Sequence, residues 1–334
     1  MKPDLSCLYL GLALENPLVV SACPLTSSLE SLQAIEAAGA GAAVLPSLFE
    51  EQLEHHELEM ARLYDFQADT THESLSYFPE LDRYNTGPER YLQLVRAVKR
   101  QLKIPVIASL NGASRGGWLA YAAQIAEAGA DALELNIYLI PTDPQQNSME
   151  LEDHYLELVS HLRKHLTIPL AVKLGPYFSA LPSFARRLHE AGADGLVLFN
   201  RYLSPAIDLE NLTFKPALDL SHPAELRLAL RWIAILRDQL SCSLAATGGV
   251  HQVSDVVQAL LVGADAVMMA STLLKHGVTQ LSHLKIELAN WLSQRDYHSV
   301  KQMRGSMSFQ HCSHPEGLLR ANYLQALTAY TSKS

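Results

Sequence analysis

Two glycines and a serine mark the first place in this chain where chemistry is legible. The segment ATGGV (246–250) closes one apolar run and MMAST (268–272) closes the next. Gly248 and Gly249 let backbone N–H groups approach an anion closely, with Thr247, Ala270 and Ser271 beside them. That pattern reads as a phosphate cradle, to which a helix starting near Ser254 adds its positive end. The plainer alternative is a tight strand-to-helix turn that needs glycine. Lys173, in AVKLGPY (171–177), interrupts an otherwise apolar strand. A buried lysine needs a partner or a task, so it either touches a cofactor's polar edge or forms an internal ion pair with Glu134.

Asn111, Asn136 and Asn200 close three further apolar runs. Each offers two donors and an acceptor, so three amides converging on one mouth suit a planar heterocycle with alternating C=O and N–H groups. Singly, each would equally serve as a loop cap. Ser21, Ala22 and Cys23 close the first run, and Cys23 reads as a buried thiol. The histidine groups HHELE (55–59) and HCSH (311–314) lack metal-ligand spacing and read as solvated surface, so no metal is expected.

These residues need a scaffold, and a repeat supplies it. AGAGAAVLP (38–46), AGADALELN (128–136), AGADGLVLFN (191–200) and VGADAVMMAS (262–271) each follow an Ala- and Leu-rich amphipathic stretch. The glycine suits the left-handed residue that ends a helix, and the apolar run suits a strand buried on both faces. Between the copies lie KIPVIASL (103–110), TIPLAVKL (167–174) and SCSLAATGG (241–249), with NPLVVSA (16–22) ahead of them. The pattern predicts eight strands centred near 19, 44, 107, 134, 171, 197, 245 and 267. Helices are expected over 27–38, 89–102, 115–128, 150–165, 180–191, 223–239 and 253–262. Strand–helix alternation of this kind closes into a parallel (β/α)8 TIM barrel, an α/β fold. An open doubly wound sheet is disfavoured by the even spacing and by the absence of GxGxxG after the first strand.

The chain reads as one domain over 1–334, with lid or wall insertions at 47–88 and 200–221 and a helical tail over 279–334. Twenty-six basic against thirty-five acidic residues leave a net charge of −9, which argues against nucleic acid as a partner. No apolar run approaches the ~18 residues of a membrane span, and MKPDLSCLYL lacks a signal-peptide core. Four scattered cysteines without CxxC spacing point to a reduced, cytoplasmic setting.

In order along the chain, NPLVVSACPLTSS, ASLNGAS, ALELNI, LAVKLGPYF, LVLFN, AATGGV and VGADAVMMAST resemble the FMN-dependent dihydroorotate dehydrogenase family, including the related barrel of dihydropyrimidine dehydrogenase. The resemblance covers roughly residues 5–300. It implies FMN as cofactor, with Ser21 and Ala22 meeting the flavin through backbone groups. Asn111 and Asn136 would line the flavin and substrate pocket, and Lys173 would contact the polar edge of the ring. Asn200 would bond a pyrimidine-like substrate. Thr247, Gly248, Gly249, Ala270 and Ser271 would cradle the phosphate. A homodimer is the implied default, and with no iron–sulfur ligand set an electron relay would need a separate partner.

Three departures stand out. Where the family reads N-L-S-C-P-N after strand four, with Cys or Ser as base, this chain reads NIYLIPTDP and aligns Leu139, which cannot accept a proton. Tyr138 is the neighbouring proton carrier, better suited as an acid than as a base; alternation equally buries it against a helix. Pro46 stands where a lysine is usual, and only Asn85 and Gly87 match the family's N-S-M-G-L-N segment. Arg201 replaces a small polar residue; it would either neutralise a substrate carboxylate or lie on the surface.

Three functions are therefore compared. The first is an FMN-dependent oxidoreductase acting on a ring C–C bond of a small pyrimidine-like heterocycle. The second is a catalytically impaired flavin-binding partner or electron-relay subunit. The third is a flavin-free aldolase or isomerase that forms a Schiff base on Lys173.

Overall fold

The computed structural model describes residues 2–53, 87–114, 116 and 118–331. Its centre is a closed parallel barrel of eight strands: β1 (Leu18–Val20), β2 (Ala42–Phe49), β3 (Val106–Asn111), β4 (Ala132–Asn136), β5 (Leu170–Leu174), β6 (Gly195–Leu198), β7 (Ser243–Thr247) and β8 (Ala266–Met269). The (β/α)8 reading of the sequence is the observed fold. Surrounding helices are α1 (Leu29–Ala37), α2 (Gly87–Gln101), α3 (Trp118–Glu127), α4 (Ser148–His165), α5 (Leu181–Glu190), α6 (Leu226–Leu236) and α7 (Val253–Val262). A helical tail follows, with α8 (Ser271–His276), α9 (Gln280–Gln294), α10 (Val300–Met303) and α11 (Ala321–Thr331).

The repeated Gly-Ala-Asp has a physical reason. Each aspartate leads an even strand and clasps the preceding odd strand. Asp131 accepts from Val106 N at 2.7 Å and from Lys99 Nζ at 2.5 Å. Asp194 accepts from Leu170 N and from Arg163, both at 2.8 Å. Asp265 accepts from Leu244 N and Arg237, both at 2.8 Å, and also from Arg304. The glycine two places earlier has positive φ, and a Cβ on Gly192 or Gly263 would lie 2.5 Å from the Cγ of Arg163 or Arg237. Only glycine lets the arginine's methylene stem pass. The first copy has Gly41 in place of the aspartate because Asn16 occupies that space: its Oδ1 accepts from Leu18 N, and a Cβ on Gly41 would lie 2.0 Å from Asn16 O.

A two-stranded hairpin, Cys7–Tyr9 with Leu12–Leu14, plugs the barrel's N-terminal end. Its turn, Leu10-Gly11, has positive φ at both residues, as tight hairpins require. Tyr9, Leu10 and Leu14 are buried against Val19, Val44, Ile107, Val197 and Met268 inside the barrel. Leu10 N donates to Ser243 Oγ, and a Cβ on Gly195 would lie 2.5 Å from Leu10 Cδ2. The sequence reading did not anticipate this plug.

Strand β2 runs on to Phe49, so the connection expected from 47 begins later. Pro46 lies inside the strand, at a register shift between Val44 and Ser47. Proline has no N–H to give the ladder, which resumes at Ser47 opposite Ser109. Residues 54–86, with the HHELE segment and Asn85, lie outside the described residues. The second insertion contains a short hairpin, Ala206–Asp208 with Thr213–Lys215. Among the described residues no helix is long and apolar enough to cross a membrane.

Candidate active site

The C-terminal ends of β1, β5, β6, β7 and β8 converge on a cavity of about 340 Å³. Its wall includes Ser21, Ala22, Lys173, Asn200, Arg201, Thr247, Gly248, Gly249, Ala270 and Ser271. Apolar contributions come from Phe199, Leu218 and Met269. Alternation along the strands aims Ser21, Lys173 and Thr247 inward, one layer above the apolar plug. Ser21 Oγ lies 3.4 Å from Thr247 Oγ1, and Ser21 N donates to Met269 O, which ties β1 into this wall.

Lys173 enters from β5 with its side chain 12% exposed, and its ammonium lies 3.5 Å from Oε1 of Glu134, which is 1% exposed. The Glu134 ion pair and the position at the cavity are thus both present. Asn200 Nδ2 donates to Asn136 Oδ1 at 2.9 Å. Asn136 keeps both amide hydrogens, and Asn200 keeps one hydrogen and its carbonyl. Asn111 pairs in register with Asn136, and neither is part of the cavity wall; Asn136 is tied to the wall through Asn200.

The two glycines differ. Both have positive φ, but a Cβ on Gly248 meets nothing within 4 Å, whereas one on Gly249 would lie 2.6 Å from His222 O and 2.7 Å from Leu226 N. Gly248 faces open space; Gly249 is a close-packing glycine. The Gly249 amide donates to Ser221 Oγ, and Ser221 N and Oγ both donate to Ser271 Oγ. The first amides of the α7 region, His251 N and Gln252 N, are taken by Asp255. The positive end expected from that helix is therefore met largely by its own carboxylate. Nothing in the local pattern around DLSHPAE marks Ser221 as a wall residue.

The rewritten loop after β4 is held by tyrosines. Tyr202 Oη donates to Leu139 O at 3.2 Å, and Leu203 N donates to Tyr138 Oη at 3.1 Å. Tyr138 meets Tyr202 edge-on with centroids 5.1 Å apart, and Tyr177 stacks on Tyr202 at 5.3 Å. Burial, then Tyr138 and Tyr177, push the Tyr202 phenol up from its ordinary value. Leu139 packs on the core, and Tyr138 does not line the cavity. Arg201 forms an ion pair with Glu225 at 2.8 Å and donates to Asp219 O, so its charge is already met by protein. Cys23 lines the cavity wall, buried, with its thiol pushed up by burial. In the HCSH segment, His311 contacts Ser308 and Asp238, and His314 contacts Glu316.

A closed parallel barrel with a cavity of mixed polar and apolar lining at the C-terminal ends of its strands defines the class of (β/α)8 proteins that bind a small ligand at that mouth. Hydroxyl and amide donors, one cation and apolar side chains in the same lining are chemically compatible with a ligand that carries an anionic group and a planar ring with a polar edge, as FMN does. The family model described as dihydroorotate dehydrogenase matches residues 5–292, and the chain belongs to that family. The catalytic subunit of dihydroorotate dehydrogenase B (NAD(+)) from Listeria monocytogenes serotype 4b is 33% identical over 202 residues, 56% of this chain and 63% of that protein. The protein of the same name from Thermoplasma acidophilum is 24% identical over 312 residues, 90% of this chain and 98% of its own. That from Methanocella arvoryzae is 26% identical over 299 residues, 87% and 94% of the two chains. The alignment with the Listeria protein thus spans less than two thirds of that relative's length.

Proposed function

We propose that this chain is an FMN-dependent oxidoreductase of the dihydroorotate dehydrogenase-like group, acting on a ring C–C bond of a small pyrimidine-like heterocycle. One observation carries the reading: a single cavity gathers Lys173, the open Gly248 and Ser271. When bound, FMN supplies hydride transfer. Gly248 N–H and the Ser271 hydroxyl would hold its phosphate, Ser21 and Ala22 would contact the ring, and Lys173 would stabilise negative charge on the ring's polar edge. Asn136 and Asn200, bonded to each other, present their remaining amide groups to the heterocycle and orient it. The scattered cysteines suit a cytoplasmic setting, and the words catalytic subunit in the relatives' names suit a separate electron-transfer partner, with a homodimer as the assumed state.

A second reading, a flavin-binding partner or electron-relay subunit with impaired catalysis, is favoured by one feature. The base position is Leu139, packed on the core with its carbonyl bonded to Tyr202. Loss of a positioned base costs about 10²–10⁴-fold in rate. A visible absorption spectrum followed by anaerobic titration with dihydroorotate and orotate separates the readings. A flavin spectrum that dihydroorotate bleaches, with bleaching lost in Lys173→Ala, supports the first. A flavin spectrum indifferent to both ligands supports the second. A protein that stays colourless after incubation with FMN rejects both.

A further inference from the structure

We propose that Ser221 is a positioning residue that turns Ser271 into the phosphate-selective donor of this cavity; the inference rests on the flavin reading above. A serine hydroxyl has one hydrogen to give and two lone pairs to receive with. Both lone pairs of Ser271 Oγ are engaged by Ser221, one by its backbone N–H at 3.0 Å and one by its hydroxyl at 2.9 Å. The Ser271 hydroxyl hydrogen must therefore point elsewhere, and Ser271 lines the cavity. Ser221 can give its own hydrogen to Ser271 while its oxygen receives the Gly249 amide at 3.1 Å. The order is Gly249 N–H to Ser221, Ser221 O–H to Ser271, Ser271 O–H to the cavity.

The relay resolves what the double-glycine turn does here. The Gly249 amide is not free for a ligand, because it is spent on Ser221, and the residue's Cβ direction is packed against His222 and Leu226. Its donation reaches the mouth only through two hydroxyls, each polarised by the one behind it. Ser221 is held in place for this: it is buried, and its carbonyl contacts His251 Nε2 at 2.6 Å. The resulting donor suits an acceptor-only anion, such as the phosphate monoester that distinguishes FMN from riboflavin.

The test is fluorescence titration of the whole chain with FMN and with riboflavin, for wild type, Ser221→Ala, Ser271→Ala and Ser271→Thr. Wild type is expected to prefer FMN. Ser271→Ala should weaken FMN binding roughly tenfold to a hundredfold, the effect of losing a hydrogen bond to a charged group, and leave riboflavin binding unchanged. Ser221→Ala should weaken FMN binding less, again without affecting riboflavin, and Ser271→Thr should restore it. Unchanged riboflavin binding also shows that each variant is folded. Should Ser221→Ala fail to fold, the Ser271 pair decides. Wild type binding both flavins equally, or Ser271→Ala binding FMN as wild type does, overturns the relay while the flavin reading stands. Wild type binding neither flavin overturns both.

Discussion

The Lys173 ammonium lies 3.5 Å from the Glu134 carboxylate across neighbouring strands, and among the described residues neither Glu134 oxygen has a hydrogen bond. The pair is therefore held by charge alone. At an effective dielectric near 20 the attraction is about 5 kcal/mol, most of which offsets the cost of burying the two charges. Glu134→Ala should destabilise the protein by about 3–5 kcal/mol, because it strands a buried ammonium. Glu134→Gln combined with Lys173→Gln should cost less than the sum of the single changes. Urea denaturation of these four variants measures this, and strictly additive losses would show that the two side chains do not act as a pair.

The glycines of the 248–249 turn should respond oppositely in stability and in ligand binding. Gly248→Ala adds only the left-handed backbone penalty, about 1–2 kcal/mol, but puts a methyl group at the cavity. Gly249→Ala adds the same penalty and a clash with the backbone at His222 and Leu226, a further ~1–3 kcal/mol. Thermal melts should rank Gly249→Ala well below Gly248→Ala, and FMN titration should show the larger effect per unit of lost stability at 248. Equal melting temperatures would contradict the packing described here.

The aspartate clasps should matter to stability and little to chemistry, since they lie at the strands' leading ends. Asp265 is buried and engages Arg237, Arg304 and Leu244 N. Asp265→Ala should cost about 3–5 kcal/mol, as expected when one partner of a buried pair is removed. The more exposed Asp194, with Arg163, should cost less when changed to alanine. Denaturant midpoints of the two variants test the order.

Alkaline conditions should weaken the fold through its thiols. Burial, reinforced by Asp265, pushes the Cys7 thiol up to about 12. Burial is again the main cause for Cys242, whose thiol is pushed up to about 11. An unfolded chain ionises its cysteines near pH ~8.5. Above that pH the unfolded state binds fewer protons than the folded one, so stability falls as pH rises. The fall should continue to about 11 for Cys242 and about 12 for Cys7. Denaturation across this range should show a slope that Cys7→Ser with Cys242→Ala flattens; an unaltered slope would rule the thiols out as its source.

The sequence by itself determined the barrel. The Gly-Ala-Asp copies, the Ile-Pro starts and the buried apolar runs are local signals, because strand, helix end and turn depend on residues close in the chain. The eight strand centres and the helix spans were legible for that reason, and so was the drawing together of Lys173, Gly248 and Ser271 at one mouth. Tertiary structure alone decided which groups face the cavity and which are spent on protein. Arg201 is engaged by Glu225, Asn111 stands outside the wall, and the Gly249 amide is taken by Ser221, twenty-eight residues away in the chain. The N-terminal plug, Leu10 against Gly195, is a contact of the same long-range kind. Periodicity assigns a side chain to a face, but the partner it meets there comes from a distant segment, and only closing the barrel brings the two together.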